Sequence, residues 1–281
     1  MDAQIAHRRV KMHRFLRNPS SWLFLGLSLA VILVAVSGAW LAPRDPLAVK
    51  TSDRFQSPGR QYWMGTDNLG RDVLSRTIAG TRLALQSCGV ILVSATMLGL
   101  LIGVVSGYYG GVVDEVAMRI SDIFIAFPGL VLALAIAAAL GPNLTHAMIA
   151  ISAVWWPSYA RLVRGQVLAI KKREFIQAAR ALGASDLTIM WAHIIPNIAI
   201  PLLIQVTSDI GPALVTTSSL SFIGMGAQPP TPEWGSMVSL GRKYLLDYWW
   251  MSTFPGLAIF ITVVIFNGLG ETIRTSLSPR R

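Results

Sequence analysis

The stretch EFIQAARALGASDLTIMWAHIIPN, residues 174–197, determines how this chain is organised because its character differs from that of its surroundings. It opens with charge, is interrupted by Gly183 and ends on a proline and an asparagine, whereas an apolar run of membrane length lies on either side. A polar segment in that position predicts a surface element between two membrane-spanning helices.

The same stretch carries helix signals. Four residues of its first half recur at helical spacing: Phe175, Ala178, Ala179 and Leu182. Gly183 is typical of a helix C-terminus, and Ser185 or Asp186 is suited to cap a second helix that runs to Pro196. The stretch therefore predicts a short helix-turn-helix at the cytoplasmic surface.

Two uses of this element are open. Its periodicity favours an amphipathic helix that lies on lipid headgroups. Its small residues, Ala178, Ala179 and Gly183, favour a shallow surface that another protein approaches closely, because a lipid anchor needs large apolar side chains. We interpret it as a docking element for a cytoplasmic partner.

The composition is that of a membrane protein. Of the 281 residues, 53% are hydrophobic and 14% are charged, and the net charge is +10. The basic residues lie beside apolar runs and not among stacking aromatic residues, which argues against nucleic-acid binding and indicates membrane orientation. The single cysteine, Cys88, excludes a disulfide within the chain.

A bilayer core of about 30 Å needs roughly 20 apolar residues per helix. The sequence accordingly predicts an all-α integral membrane protein with six transmembrane helices, at residues 22–41, 83–107, 120–140, 144–160, 198–223 and 250–269. The first run follows a basic arm, as in a signal peptide, but it is too long for the apolar core of one. We predict an uncleaved anchor.

Lys and Arg in short flanking segments indicate the orientation. The N-terminal arm, the segment from Arg161 to Arg180 and the tail are basic and fall on one side of six spans, so both termini are predicted to be cytoplasmic. The basic segment 43–82 is longer, contains compensating acids and is placed outside. We divide the chain into residues 1–82 (arm, first helix, outer segment) and 83–281, a five-helix core with its cytoplasmic loop at about 161–197.

The string QAARALGAS followed by HIIPN resembles the EAA loop of bacterial ABC importer permeases. The pattern of that loop is Glu-Ala-Ala, three residues, Gly, nine residues, then Ile-x-Leu-Pro, and Gln177, Gly183, His193 and Pro196 stand at the matching spacing. Gln177 replaces the usual Glu and His193 the usual Ile. Glu174, one helical turn earlier, could take over the acidic role.

Four further segments resemble the peptide/nickel branch of these permeases, the dipeptide and oligopeptide C-type subunits. They are MGTDNLGRDVLSR (64–76), GYYGGVVDEVAMRISDIFIAFPGL (107–130), GMGAQPPTPEWG (224–235) and FPGLAIFITVVIFNGLGETIR (254–274). The resemblance implies the ABC importer permease fold and four kinds of partner: a homologous second permease subunit, two cytoplasmic ABC ATPase subunits, an extracytoplasmic substrate-binding protein and membrane lipid.

The resemblance also implies that this chain binds no cofactor and that the partner subunits use ATP and Mg. The chain itself has no G-x-x-x-x-G-K-[ST] phosphate loop, no H-E-x-x-H and no G-x-S-x-G, and its histidines lack metal-ligand spacing. We predict that it is not an enzyme and that it holds no metal.

The resemblance assigns ATPase coupling to seven positions of the EAA loop: Glu174, Gln177, Ala178, Ala179, Gly183, Ala184 and Pro196. The polar fifth span, interrupted by Gly211 and Pro212, supplies candidates for a translocation path: Gln205, Ser208, Asp209 and Thr216. A carboxylate at membrane depth is costly unless it faces protein or water. Asp209 is therefore either part of the path or a structural carboxylate held by hydroxyls or by the sister subunit.

Turn-forming residues of the outer segment are candidates for docking a binding protein: Thr66, Asp67, Gly70, Arg71 and Asp72. A tight loop that enters the second span is the alternative. Near the third span, Arg119 and Asp122 are one turn apart, which predicts a local ion pair, with contact to the substrate as the alternative.

We predict a permease subunit of an ABC importer in the bacterial inner membrane that moves a peptide or a related small solute inward. Nickel or other metal chelates, glutathione-like and opine-like solutes are open within the family. Two other classes are a proton-coupled secondary transporter that uses Asp209, for which no inverted repeat is evident, and an assembly or anchoring protein without transport.

Overall fold

The computed structural model describes residues 19–277, and within that range the chain is helical apart from turns and one isolated β-bridge. In chain order the helices are α1 (Pro19–Leu41), α2 (Val73–Tyr109), α3 (Gly111–Ile125), α4 (Gly129–Leu140), α5 (Leu144–Lys171), α6 (Glu174–Ala181), α7 (Asp186–Ser208), α8 (Ile210–Ile223), α9 (Trp234–Gly241) and α10 (Trp250–Leu277). The basic arm and the last four residues, which contribute to the predicted orientation, lie outside the described range.

The predicted all-helical membrane architecture is confirmed. Of the described helices, α1, α2, α7 and α10 are long and apolar enough to cross a bilayer, and α3 with α4 makes a fifth if the bent pair is one span. Length and apolar composition alone therefore identify four or five spans among the described residues, fewer than the six predicted. Helix α5 has 28 residues, which is long enough, but its second half carries Arg161, Arg164 and Lys171.

Helix α2 starts at Val73, ten residues before the predicted second span. Its polar first turns are helical because their groups have partners. The Asp72 carboxylate accepts from the Ser75 amide at 2.9 Å, and Arg76 donates to the carbonyls of Pro46 at 3.0 Å and Pro230 at 3.3 Å. The predicted division after residue 82 therefore falls inside a continuous helix.

The span predicted at 120–140 is not one straight helix. The chain bends by 90° between α3 and α4. The sequence Phe127-Pro128-Gly129 lies at the bend, where proline lacks an amide hydrogen and disfavours a helical conformation in the residue before it. The Pro128 carbonyl then accepts from the Leu132 amide at 3.0 Å and begins α4.

Pro196 does not end the second helix of the predicted helix-turn-helix. Residues Ile189–Ile194 form a π-helical turn in which the Ile195 amide donates to the Met190 carbonyl, five residues earlier. This wider turn accommodates the proline, and α7 continues to Ser208.

The fifth span predicted at 198–223 is broken at one residue, Asp209, between α7 and α8. The predicted break at Gly211 and Pro212 is misplaced. Pro212 lies in the first turn of α8, where its missing amide hydrogen leaves no helical hydrogen bond unmade.

Helices α2 and α5 pack closely along three glycines that recur every fourth residue of α2: Gly99, Gly103 and Gly107. A Cβ on Gly99 would lie 2.4 Å from the Cβ of Tyr159, and one on Gly103 would lie 2.5 Å from the Ala160 carbonyl oxygen. Small residues at this spacing let two membrane helices approach to backbone contact. The α2–α5 pair is the framework against which the residues of the candidate site pack.

Candidate functional site

The predicted glycine stop at the end of α6 is confirmed. Gly183 has φ +85°, its amide donates to the Arg180 carbonyl at 3.0 Å, and the Ala184 amide donates to the Ala179 carbonyl at 3.1 Å. These two bonds satisfy the last carbonyls of α6. The next helix begins as predicted, since the Ser185 hydroxyl accepts from the Thr188 amide at 3.3 Å.

One side of the EAA segment, residues 174–197, is buried in the protein. Ile176, Ile189 and Ile194 pack into a cluster with Val163 and Val167 of α5. This packing holds α6 against the end of the α2–α5 pair, so the segment is attached to the framework and does not hang as a free loop.

The opposite side of the EAA segment is accessible. Of the predicted coupling residues, Glu174, Gln177, Ala178, Gly183 and Pro196 are exposed, and Ala179 and Ala184 are partly buried. Larger apolar side chains also point outward here: Leu182 is 88% exposed, and Leu187 and Trp191 are each 64% exposed. Apolar groups of this size on a polar segment indicate a contact surface.

Glu174 has no ion pair among the described residues. Its side chain lies at the start of α6, on the accessible side of the segment. The carboxylate is therefore available to a group outside this chain.

The charged residues of α3 pair mainly with α5. Asp122 accepts from Arg161, and Asp114 accepts from the Arg164 guanidinium through two bonds of 2.5 and 2.6 Å. The predicted local pair of Arg119 with Asp122 is wrong: Arg119 lies 3.8 Å from Glu115 instead. The packing of α3 beside α5 brings the longer arginine side chains of α5 within reach.

Asp209 lies at the break between α7 and α8 and is held by neutral donors. The Tyr159 hydroxyl donates to Oδ2 at 2.7 Å, and the Gln205 amide lies 3.0 Å from each carboxylate oxygen. Asp209 has no basic partner among the described residues. The geometry brings Gln205 and Asp209 together, as their four-residue spacing on a helix requires.

The two hydroxyl candidates bond locally. Ser208 donates to the Ile204 carbonyl at 2.9 Å and Thr216 donates to the Pro212 carbonyl at 2.8 Å. Their oxygens keep the capacity to accept a hydrogen bond, and both residues are half-buried. No direct bond joins either hydroxyl to Asp209.

A further polar residue, Asn267, which is not among the predicted site residues, lies against the same break. A Cβ on Gly211 would lie 2.2 Å from the Asn267 Oδ1, so α10 approaches α8 closely there. Asn267 and Gln205 are both exposed although the surrounding helices are apolar. The isolated amide in the run IFITVVIFNGL was the signal in the sequence.

The predicted docking residues lie inside the α1–α2 connection (residues 42–72) and not on its surface. All five are buried: Thr66, Asp67, Gly70, Arg71 and Asp72. The Asp67 carboxylate accepts from the Arg71 Nε at 2.6 Å and from the Leu69 amide at 2.8 Å. These residues shape the connection, and its accessible surface is formed by others, such as Trp63.

An apolar cleft of about 520 Å³ lies between α8, α9 and α10. Phe222, Val238, Ile259 and Phe260 are among its lining residues. A lining of this kind suits lipid or another helix better than a polar solute, and the cleft does not include Asp209 or Gln205. Within residues 19–277 no group of three or more potential metal ligands occurs.

Similarity to known proteins identifies the chain as a permease subunit of the ABC importer class. The chain belongs to the family of binding-protein-dependent transport system inner membrane components, whose family model matches residues 99–281. It is thus a multi-pass inner-membrane protein that belongs to a transport system dependent on a binding protein.

Relatives extend over nearly the whole chain. The probable D,D-dipeptide transport system permease protein DdpC of Escherichia coli K12 is 42% identical, with 98% of this chain and 95% of the relative covered. The dipeptide permease DppC of Alkalihalophilus pseudofirmus is 40% identical, with 89% and 82% covered. The glutathione permease GsiD of Pectobacterium atrosepticum is 38% identical, with 95% and 89% covered.

The fold is also similar to that of a solved structure. A chain of an amino acid ABC transporter with histidines superposes with a TM-score of 0.53 at 18% identity, covering 70% of this chain and 92% of that chain. At this identity the likeness concerns the fold alone.

Proposed function

We propose that this chain is one of two homologous permease subunits of an ATP-driven peptide importer with two ATPase subunits, and that one ATPase subunit binds it through the EAA segment. One observation carries the proposal: the segment has a base packed into α2 and α5 and an opposite face with exposed Leu182, Leu187 and Trp191. A partner that grips such a face moves the helices beneath it.

Energy comes from the partners. The chain lacks a phosphate-binding loop, so ATP and Mg belong to the ATPase subunits, and this chain acts without a cofactor of its own and without catalysis. The exposed carboxylate of Glu174 is available to a basic group of an ATPase subunit, which offsets the replacement of the usual glutamate by Gln177.

Six crossings are assigned to α1, α2, the α3–α4 pair, α5, the α7–α8 pair and α10. This even number puts both termini on the side of the EAA segment, the cytoplasm. The α1–α2 connection then faces the binding protein, which would meet exposed residues such as Trp63 while Thr66, Asp67, Gly70, Arg71 and Asp72 maintain the shape beneath. The regions 1–82 and 83–281 are joined through α2.

The translocation path is proposed to run past the break at Asp209, with Gln205, Asn267 and the acceptor oxygens of Ser208 and Thr216 along it. Exposed polar groups in membrane-crossing helices must face protein or water. The named solutes of the relatives are dipeptides, a D,D-dipeptide and glutathione, which all contain a peptide or closely related amide bond. Small peptides are therefore the substrate class that we propose.

The coupling surface is tested by Leu182→Asp, with Leu246→Asp as the matched control. Both leucines are highly exposed, 88% and 97%, so neither change disturbs the core, but Leu246 is remote from the EAA segment in the sequence and is assigned to the outer side. We expect Leu182→Asp to lose co-purified ATPase and ATP-driven uptake of labelled D-alanyl-D-alanine and L-alanyl-L-alanine into proteoliposomes that contain the binding protein. Leu246→Asp should keep both.

Retention of ATPase subunits and uptake by Leu182→Asp would refute this coupling surface. Uptake by the wild-type complex that follows an imposed proton gradient and ignores ATP would refute the importer as a whole. The proton-gradient result is obtained with the wild-type complex, before any substitution is made, so it is distinguished from the result with Leu182→Asp.

A further inference from the structure

The hydroxyl of Tyr108 connects both helices of the EAA segment to α2. It donates to Oδ1 of Asp186, the first residue of α7, at 2.5 Å, and it accepts from Nη2 of Arg180, in the last turn of α6, at 2.9 Å. Tyr108 itself is the penultimate residue of α2 and is buried. A single oxygen thus joins the end of one long helix to two short elements.

The surroundings of Tyr108 attach α5 to the same point. Lys171, the last residue of α5, donates through Nζ to the Tyr108 carbonyl. The Lys171 ammonium and the Arg180 guanidinium also lie 5.5 and 5.7 Å from the ring centroid. Four elements therefore converge on one residue.

We propose that Tyr108 is the positioning residue that fixes the EAA segment on α2, so that movement of the segment is transmitted to that helix. The inference rests on the proposed coupling role of the segment. The apolar contacts of Ile176 and Ile189 hold the segment but are non-directional. The two hydrogen bonds of the hydroxyl have required directions, and they fix the segment's rotation as well as its distance.

Helix α2 carries such a movement to the far end of the molecule. Its 37 residues span about 55 Å at 1.5 Å per residue, from Tyr109 to the Asp72 cap in the α1–α2 connection. At that end Arg76 holds the Pro46 and Pro230 carbonyls. Tyr108 thus connects the proposed ATPase-binding surface with the segment assigned to the binding protein.

The test compares Tyr108→Phe with Tyr109→Phe. Tyr108→Phe keeps the aromatic ring, its packing and the contacts of the ring face with the Lys171 and Arg180 cations. It removes only the hydroxyl oxygen and that atom's hydrogen bonds. Tyr109 is the next residue, is exposed, and donates no hydrogen bond within the described chain, so it controls for loss of a tyrosine hydroxyl at this point. We expect the alanyl-alanine dipeptide transported per ATP hydrolysed to fall by at least about tenfold in Tyr108→Phe alone, because the change removes both hydrogen bonds of the hydroxyl and each has a charged partner.

Asp186→Ala provides an independent variant, because Asp186 is exposed and its replacement leaves the core intact. The proposal requires a loss of coupling in Asp186→Ala that is no larger than that of Tyr108→Phe, since the Arg180 bond remains, and no further loss when Asp186→Ala is added to Tyr108→Phe. An unchanged ratio of uptake to hydrolysis in Tyr108→Phe would overturn it, as would additive effects of the two changes.

A second readout does not depend on transport. Spin labels at exposed Ala192 and Val105 report the distance between the EAA segment and α2 in the assembled complex, with the single cysteine, Cys88, replaced by serine. We expect a narrow distance distribution in the otherwise wild-type chain and a broad one with Tyr108→Phe. Distance distributions of equal width in the two chains would overturn the inference, whether or not the dipeptide is transported. Absence of dipeptide transport by the wild-type complex would count separately, against the proposed function.

Discussion

Tyr159 on α5 donates a hydrogen bond of 2.7 Å to Asp209 at the break between α7 and α8. Tyr159 is 1% exposed, and the second donor to the carboxylate, Gln205, is also neutral. A negative charge is therefore held at a helix break without a basic partner among the described residues. Neutral donors hold the carboxylate in place but leave its charge uncompensated, which a structural ion pair would not do.

Asp209→Asn is expected to slow uptake without affecting assembly. Asparagine keeps an oxygen that accepts from Tyr159, so the link between α5 and the helix break survives, but the charge is lost. If the charge acts on the solute, dipeptide uptake falls by about tenfold, which corresponds to about 1.4 kcal/mol. Uptake into proteoliposomes, together with the yield of the intact complex, measures the two effects separately.

Tyr159→Phe is the control for that prediction, since it removes the donor and keeps the charge. Tyr159→Phe should lower the midpoint of thermal unfolding of the complex and leave the rate of dipeptide uptake nearly unchanged. Normal uptake by Asp209→Asn would remove Asp209 from the path and leave it a structural carboxylate.

The sequence revealed the EAA segment in advance because its signals are local. Gly183 and Ser185 act on neighbouring amides and carbonyls, and their spacing identifies them. The break at Asp209 and the hydrogen bond from Tyr159 were not predictable in this way. They depend on packing between residues 50 positions apart, which no window of sequence contains.

The span boundaries illustrate the same limit. A span predicted from apolar residues stops where arginines and hydroxyl side chains begin, so the predicted spans are shorter than helices α2 and α5. In the structure, Arg76 near the start of α2 and Arg164 in the second half of α5 have partners from other segments, which keep those turns helical. The bend at Pro128, in contrast, has a local cause that was present in the sequence but was outweighed by the apolar residues around it. The docking residues were correctly recognised as turn formers, but their burial follows from the tertiary fold.

The α2–α5 contact predicts opposite effects of alanine at two glycines of α2. Gly103→Ala places a Cβ 2.5 Å from the Ala160 carbonyl oxygen and should destabilise the protein by about 1–3 kcal/mol. Gly89→Ala meets no atom within 4 Å and should be neutral or stabilise by about 0.5–1 kcal/mol. The midpoint of thermal unfolding in detergent measures both, and equal midpoints would show that the glycine spacing is not a packing device.

The α1–α2 connection should be most ordered between roughly pH 4 and pH 10, the unperturbed pKa values of Asp and Tyr. Tyr62 donates to the Asp53 carboxylate at 2.6 Å, which lowers the pKa of Asp53 and raises the pKa of Tyr62. The contribution of Asp53 is present above its unfolded pKa and is lost as the pH falls through the lowered value. That of Tyr62 is present below its unfolded pKa and is lost as the pH rises through the raised value.

Tyr62→Phe isolates this effect because it retains the ring on which the Arg44 guanidinium stacks at 3.9 Å. At pH 7 the wild-type chain should exchange amide hydrogens of residues 51–66 more slowly than Tyr62→Phe. After correction for intrinsic exchange rates, the difference should shrink at pH 3. A difference that persists unchanged at low pH would exclude the Asp53 carboxylate as its cause.

Gly183 and Gly165 form a matched pair for testing the turn of the EAA segment. A Cβ added at either glycine would meet no atom within 4 Å, but only Gly183 has a positive φ, +85°. Valine at Gly183 is strained by about 1–3 kcal/mol, and the chain relieves that strain by moving the turn between α6 and α7. Gly183→Val should therefore assemble and hydrolyse ATP while dipeptide uptake falls by about tenfold, whereas Gly165→Val should transport normally. Unchanged uptake by a normally assembled Gly183→Val complex would mean that the geometry of this turn does not set the coupling, and equal losses in both variants would point to the added volume instead of the backbone conformation.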